Sequence, residues 1–221
     1  MRKPRESLAD QAYRAIEGLI LNAEIAPGAW IAESAIAERV GLGRTPVREA
    51  IQRLARHHLV EIATGRRLRV TDIDVREQLL MIELRREIEL LLVRRAARYA
   101  TRPEQDELLA MASSIAAAGE AGDANAFYHL DFEFKLLLLR AARHRFASEA
   151  IMPLWSASRR FAWIHRTAED IRLVAGMLCR LIRAIVAGDE AAAARETAER
   201  MDHLDRFARS TLERRPELSS A

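Results

Sequence analysis

Hydrophobic and polar positions divide the chain into two parts with different patterns. In the amino-terminal part, apolar residues at helical spacing and two short β-branched runs predict three helices followed by a hairpin. Gly65 lies between the two runs and is the expected hairpin tip. The predicted elements are helices over residues 7–23, 35–40 and 45–57, with Thr45 as the cap of the third, and strands over 59–63 and 68–71.

After residue 71 the strand-like alternation stops, and signals for helix starts and ends recur instead. The predicted helices cover residues 74–100, 103–119, 123–142, 144–165, 169–187 and 189–214. We therefore expect a mainly α fold. An N-terminal winged helix-turn-helix, three helices plus a β-hairpin within residues 1–71, is followed by an all-α six-helix bundle at residues 75–214.

Composition adds a charge difference between these two parts. The 221 residues carry a net charge of +3, of which residues 1–71 contribute +4 and the remainder −1. A positive amino-terminal part suits a polyanionic partner. The single cysteine, Cys179, cannot form an internal disulfide, and no long apolar run or secretory signal is apparent. We expect a cytoplasmic protein with no membrane partner.

The third predicted helix has one apolar and one polar face. The apolar face carries residues spaced for packing, and the opposite face is free to enter a major groove of DNA. Arg44 and Arg48 are the candidates for reading base edges, while Thr45 and the wing residues Arg66 and Arg67 are candidates for phosphate contacts. Simple solvation of an exposed face is an equally good explanation of the charges alone. The apolar face comprises Val47, Ala50, Ile51 and Leu54, and the polar face Arg44, Thr45, Arg48 and Gln52.

A longer motif favours the DNA-binding interpretation. The run Ala-Pro-Gly-x-x-Ile-x-Glu-Ser-x-Ile-Ala-x-x-Val-Gly-Leu-Gly-Arg-Thr-Pro-Val-Arg-Glu-Ala-Ile-x-Arg-Leu at 26–54 resembles the GntR family of bacterial regulators. The resemblance implies that Arg44 and Arg48 contact operator guanines, that Thr45 contacts phosphate or base, and that Gly65 lets the wing enter the minor groove. Departures from the family pattern at Ala23, Gly43 and His57–His58 place the operator preference in question, but not the mode of binding.

Looser motifs in the second part resemble the FCD ligand-binding domain of the FadR subfamily, and six helices suggest its VanR branch. They are Arg85-x-x-Ile-Glu, Asp131-x-x-Phe and Ala-Ile-x-x-Gly-Asp at 184–189. By that resemblance, many members hold a divalent metal through one aspartate and three histidines. The corresponding residues are Asp131, Lys135, Leu178 and Arg200, so we predict no metal and no other cofactor. His203 would enter the set only if the register were shifted by three residues.

A cation can take over the metal's task of anchoring an effector carboxylate. Our hypothesis is that Arg85, Lys135 and Arg200, balanced by Asp131, bind a small organic acid through charge-assisted hydrogen bonds. The competing interpretation is a space-filling salt bridge between Asp131 and Lys135, which lie four positions apart. The sequence leaves these two alternatives equal.

Together these features predict a sequence-specific transcriptional regulator, in the form of a repressor modulated by a small organic-acid metabolite. Its expected partners are double-stranded DNA with a palindromic operator, a second copy in a homodimer, and a carboxylate effector. The alternatives are a metal-dependent or redox sensor of the same architecture, the latter built on Cys179, and a helical-bundle enzyme. Apolar neighbours make an inert Cys179 the better interpretation. We predict no enzyme, because no nucleophile with its base and no phosphate-binding loop stands at recognisable spacing.

Overall fold

A computed structural model describes residues 7–65 and 67–214 of the chain. The predicted mainly helical fold, with three helices and a hairpin before six further helices, is confirmed. The elements in chain order are α1 (Leu8–Leu21), β1 (Trp30–Ala32), α2 (Glu33–Val40), α3 (Arg44–Arg56), β2 (Val60–Ala63), β3 (Arg67–Val70), α4 (Val75–Tyr99), α5 (Arg102–Ala121), α6 (Ala124–Ala142), α7 (Arg145–His165), α8 (Ala168–Val186) and α9 (Glu190–Arg214).

Contacts divide the chain into two compact units. The first unit contains residues up to 73 together with 152–164, and the second contains 74–151 and the residues from 165 onward. The break after residue 73 falls close to the boundary expected from the sequence. The middle of α7, however, groups with the first unit, which no sequence pattern indicated. The domain limits 1–71 and 75–214 remain a prediction.

The first unit is built around the packing of α1 against α3. Ser7 caps α1, because its side chain accepts a hydrogen bond from the backbone N–H of Asp10 at 3.0 Å. Apolar side chains of α1, α3 and the strands then meet in one core. Its fully buried members include Ala12, Ile16, Ile20, Ile36, Val47, Ala50, Ile51, Leu54, Leu59 and Leu68.

Three antiparallel strands in the order β1-β3-β2 form the sheet of this unit. The predicted hairpin corresponds to β2 and β3, in which Val60 faces Val70. The sequence analysis missed β1, which pairs with β3 so that Trp30 lies opposite Arg69. Three residues are too few to show alternation, and the pairing that defines this strand joins distant parts of the chain.

The start of α3 also differs from the expectation. Thr45 is not its cap, because the helix begins at Arg44 and Gly43 occupies the cap position without a side-chain hydrogen bond. Pro46 therefore lies in the first helical turn, where a missing backbone N–H leaves no helix hydrogen bond unmade. The earlier start places both Arg44 and Thr45 on the amino-terminal turn of the helix.

The second unit is a bundle of long helices. Helix α4 packs against α9 and α6, and α5 packs against α8 and α6. Asp74 and Asp123 cap α4 and α6, because their side chains accept hydrogen bonds from the backbone N–H groups of Arg76 and Ala126. Within the described ranges, every helix is too short or too polar to cross a membrane.

Candidate DNA-reading face and buried charge cluster

The packing of α3 leaves the predicted polar face outward. Its apolar residues, Val47, Ala50, Ile51 and Leu54, are buried in the core of the first unit. Because these residues recur at helical spacing, the residues between them must point to the other side. Arg44, Thr45, Arg48 and Gln52 are all exposed.

Arg48 has an ion-pair partner that the sequence analysis did not assign. Its Nε and Nη2 atoms lie 3.1 and 3.0 Å from one carboxylate oxygen of Glu33, the first residue of α2. No hydrogen bond or ion pair joins the Arg44 side chain to another described residue. The two predicted base-reading arginines therefore differ in how firmly the protein holds them.

The hairpin tip has the geometry expected of a wing. Gly65 adopts φ +77°, a left-handed conformation that disfavours any residue with a side chain, and a Cβ there would meet no neighbouring atom. Arg67 is exposed, and its guanidinium lies 5.4 Å from the centre of the Trp30 ring. Arg66, the other predicted wing contact, lies outside the described residues.

A hydrogen-bonded network crosses the first unit behind α3. The hydroxyl of Tyr13 donates to Glu17 at 2.8 Å and lies 2.8 Å from Nδ1 of His57, the residue that follows α3. Ser156 on α7 donates to the same Glu17 oxygen at 2.7 Å. Burial, followed by the nearby Glu17 carboxylate, raises the pKa of Tyr13. Sequence reasoning missed this network, although the spacing of four between Tyr13 and Glu17 was visible.

In the second unit, two buried arginines share one buried carboxylate. On α4, Arg85 donates through Nε to Glu89 Oε1 at 2.9 Å, one helical turn further along the same face. Arg200 on α9 donates to the other oxygen of Glu89. All three side chains are almost completely excluded from solvent. Glu89 was part of the quoted FCD-like motif, but the sequence analysis gave it no role.

Asp131 and Lys135 form the second pair of this cluster. The Lys135 ammonium lies 2.6 Å from an Asp131 oxygen, and both residues are buried on α6. Burial lowers the pKa of Lys135 to about 8; Asp131 opposes this shift, whereas the positive charges of Arg85 and Arg200 add to it. These electrostatic effects place the four predicted residues in one cluster. We call Arg85, Glu89, Asp131, Lys135 and Arg200 the charge cluster.

The residues at the family's metal positions do not fit a metal ion. Asp131 already binds an ammonium group, and the other positions carry Lys135, Leu178 and Arg200, whose charged or apolar side chains are not ordinary ligands. No group of three His, Cys, Asp or Glu residues within the described part of the chain has a metal-binding arrangement. Burial lowers the pKa of His203; the charges of Arg166 and Arg206 add to this shift, and the Asp170 carboxylate opposes it.

Cys179 also lacks the surroundings of a redox sensor. The thiol is buried and donates a hydrogen bond to the carbonyl oxygen of Ala112 at 3.3 Å. Burial raises the pKa of the thiol, which keeps the reactive thiolate scarce. This environment is typical of a packing cysteine.

The family assignment follows from comparison of these two units with known proteins. The profile of the FCD domain matches residues 80–203, and the profile of bacterial regulatory proteins of the gntR family matches residues 8–70. This chain belongs to the FCD family and carries an amino-terminal GntR domain. The resemblances to both families are thereby confirmed, and the FadR subfamily agrees with the FCD match. Assignment to the VanR branch remains a prediction.

Several relatives resemble this FCD protein in sequence. The HTH-type transcriptional repressor RspR of Escherichia coli is 30% identical over 148 residues, which are 67% of this chain and 65% of RspR. The HTH-type transcriptional regulator McbR of the same organism is 28% identical over 129 residues, 58% of each chain. The matched region thus spans less than two thirds of either relative. These families and relatives are regulators, which supports the prediction that the chain is not an enzyme.

Solved structures show the same fold. The E. coli McbR/YncC structure has a TM-score of 0.81 at 22% identity, covering 94% of this chain and 99% of that one. A GntR structure from Rhodococcus sp. RHA1 has a TM-score of 0.72 at 19% identity, covering 93% of this chain and 99% of that one. At these identities the likeness concerns the fold alone.

Proposed function

We propose that this FCD protein is a sequence-specific DNA-binding transcriptional repressor whose operator binding is modulated by a small organic acid. The observation that carries the proposal is the outward face of α3, where exposed Arg44 and Arg48 lie one turn apart at the amino-terminal end. A helix of this size enters a major groove, and arginine donates two hydrogen bonds to guanine O6 and N7. Arg44 and Arg48 read bases in this proposal.

The other predicted contacts position the protein on the duplex. Thr45 lies on the first turn of α3, where the backbone N–H groups and the helix dipole favour phosphate, and Gln52 extends the same face. The left-handed Gly65 at the hairpin tip and the exposed Arg67 beside it support a role for the hairpin as a wing. In this proposal Gly65 lets the wing enter the minor groove, and Arg66 and Arg67 contact the sugar-phosphate backbone, which sets register without reading sequence.

The charge cluster supports an effector role for the helical domain. Buried charges are costly unless they are paired or perform a function, and this cluster contains more than the single Asp131–Lys135 bridge of the competing interpretation. In our proposal Arg85, Lys135 and Arg200 bind the carboxylate, and Asp131 balances their charge. Repression rather than activation follows the example of RspR, which is a transcriptional repressor.

A homodimer is proposed because the outer face of α4 presents leucines with helical spacing. Leu80, Leu84 and Leu91 are exposed by 67%, 52% and 42%, and their spacings of four and seven place them on one stripe. A second copy of α4 would cover this stripe. Two recognition helices related by a two-fold axis would read half-sites about 34 Å apart on a palindromic operator.

The DNA-binding proposal is tested by selecting bound sequences from a random duplex pool with the full-length protein. We expect a short palindrome to emerge. Affinity for that duplex is then measured by fluorescence anisotropy for wild type, Arg44→Ala, Arg48→Ala and the control Arg195→Ala. Loss of one base-reading arginine is expected to cost about 1–3 kcal/mol and to relax the preference at one base pair of each half-site.

Arg195 is a matched control because it is an exposed arginine on α9. Its substitution removes the same charge and should leave both affinity and base preference unchanged. Equal affinity and selectivity in the double variant Arg44→Ala/Arg48→Ala and in wild type would overturn the proposed reading face.

A further inference from the structure

The charge cluster contains one more positive than negative group. Arg85, Lys135 and Arg200 are cations, Glu89 and Asp131 are carboxylates, and each residue is at most 7% exposed. With all five ionised, the cluster has a net charge of +1. A buried charge without a counter-charge is unfavourable, so the net positive charge of these five groups favours a further negative charge beside them.

Two buried donors, one on a cluster arginine and one on a threonine of the same helix, are unused within the described part of the chain. Nε of Arg200 and the hydroxyl of Thr197 are buried and form no hydrogen bond with any described residue. The two residues are three positions apart on α9, which places them on one face of the helix. A guanidinium N–H beside a hydroxyl matches the two oxygens of a single carboxylate.

Glu89 limits how much more negative charge the cluster can accept. One of its oxygens binds Arg85 and the other binds Arg200, so it neutralises one of the two guanidinium charges and occupies donors of both. A ligand with two carboxylates would place its second charge near Glu89 in a buried environment, where like charges repel strongly. Glu89 thus weakens the binding of dianions by repulsion, and it does not need to contact a bound monoanion.

We propose that the helical domain takes a monocarboxylate, held by Arg200 Nε and the Thr197 hydroxyl, and that Glu89 is the specificity-determining residue that excludes dicarboxylates. This inference rests on the proposed effector role of the charge cluster. It adds two residues, Glu89 and Thr197, to the predicted effector set and specifies the charge of the ligand.

The test compares acids that differ by one carboxylate: butyrate with succinate, lactate with malate, and benzoate with phthalate. Binding to the full-length protein is measured by calorimetry in a buffer containing a chelator. We expect wild type to bind the better monocarboxylates at least about tenfold more tightly than their dicarboxylate partners. Glu89→Gln removes one negative charge from the cluster, which makes its net charge more positive. We therefore expect the preference for monocarboxylates over dicarboxylates to disappear or reverse.

Two further variants make the result specific. Glu83→Gln, an exposed position on α4, is the control for loss of a carboxylate and should behave as wild type. Thr197→Val keeps the shape of the side chain but removes the hydroxyl. It should lower the affinity for every monocarboxylate by about tenfold without changing the preference for monocarboxylates over dicarboxylates. If Glu89→Gln fails to fold, the acid pairs with wild type still test the charge preference, and Thr197→Val still tests the proposed contact.

The outcomes separate this inference from the proposed function. If wild type binds both acids of each pair equally, or prefers the dicarboxylates, the proposed selectivity for monocarboxylates is wrong, but the proposed effector role is not contradicted. Unchanged affinity in Thr197→Val would overturn the proposed contact. Wild type that binds none of the six acids would contradict the effector role itself.

Discussion

Glu33 holds the guanidinium of Arg48 at the face that we propose reads DNA. Both contacting nitrogen atoms of Arg48 bind the same Glu33 oxygen, and the Arg48 side chain remains 50% exposed while that of Glu33 is 12% exposed. The carboxylate orients the arginine but also competes with DNA for its donors. A guanine edge with two acceptors is a stronger competitor for these donors than a single phosphate oxygen, so the pair favours selective over general binding.

Glu33→Gln should therefore reduce selectivity. The amide keeps a hydrogen-bond acceptor for Arg48 but removes the negative charge that opposes phosphate. We expect binding to an unrelated duplex to tighten by about three- to tenfold, with a steeper salt dependence, and binding to the selected operator to change less. Fluorescence anisotropy with both duplexes at several salt concentrations measures this difference.

The matched control is Glu38→Gln, which removes the same charge from an exposed position on the same helix. It should shift the affinities of the two duplexes equally, through long-range electrostatics alone. The same ratio of operator to unrelated affinity in the two variants would show that the Glu33–Arg48 pair has no part in selectivity.

The proposed dimer interface predicts a monomer when one leucine is made acidic. Leu84 lies in the middle of the exposed stripe of α4, and burying a glutamate there against a second copy would be costly. We expect Leu84→Glu to sediment as a monomer at concentrations where wild type is a dimer. Leu173→Glu, at a comparably exposed leucine on α8, is the control and should remain dimeric. A dimeric Leu84→Glu would disprove this interface.

An antiparallel pairing of the two α4 helices gives a sharper expectation. If Leu80 faces Leu91 of the second copy, then the residue three positions before Leu80 faces the residue three positions after Leu91. These residues are Glu77 and Arg94, which are exposed and of opposite charge. Glu77→Arg should weaken the dimer, and Glu77→Arg/Arg94→Glu should restore it. A double variant weaker than the single one would rule out this register.

The sequence predicted those parts of the fold that repeat locally. Buried Val47, Ala50, Ile51 and Leu54 recur at helical spacing, and this periodicity alone located α3 and its outward face. Helix boundaries were less certain, because Gly43 caps α3 through backbone geometry that no side chain signals. The edge strand β1 depends on pairing across the sheet and leaves no local pattern.

The candidate sites divide in the same way. In each of the pairs Arg85–Glu89 and Asp131–Lys135, the two residues lie four positions apart on one helix. Their spacing in the sequence therefore predicts that they are close. The contact of Arg200 with Glu89 joins helices far apart in the chain, and no spacing rule predicts it. Likewise Ser156 reaches Glu17 only because the middle of α7 packs in the first unit.

Metal ions should not stabilise the protein. Adding Zn²⁺, Ni²⁺ or Mn²⁺ to chelator-treated protein is expected to leave the thermal unfolding midpoint unchanged, whereas a bound metal at a hundredfold excess over its dissociation constant would add about 2.7 kcal/mol. The double variant Lys135→His/Arg200→His, which places two histidines near Asp131, is the positive control and should gain a metal response. A saturable metal response in wild type would contradict the replacement of the metal by cations.

Finally, Lys135 should make the stability of the helical domain depend on pH. Its pKa lies at about 8 in the folded protein, because burial disfavours the ammonium form; Asp131 opposes this shift, whereas the positive charges of Arg85 and Arg200 add to it. An unfolded lysine has a pKa near 10.4, so between about pH 8 and pH 10 the unfolded chain binds more protons than the folded one. The free energy of unfolding contributed by this residue therefore rises with pH across that window. Lys135→Met should lack the rise, and urea unfolding of both proteins followed by circular dichroism at several pH values gives the difference. A difference between wild type and Lys135→Met that stays constant from about pH 7 to pH 10 would show that Lys135 titrates as an ordinary lysine and that its burial does not disfavour the ammonium form.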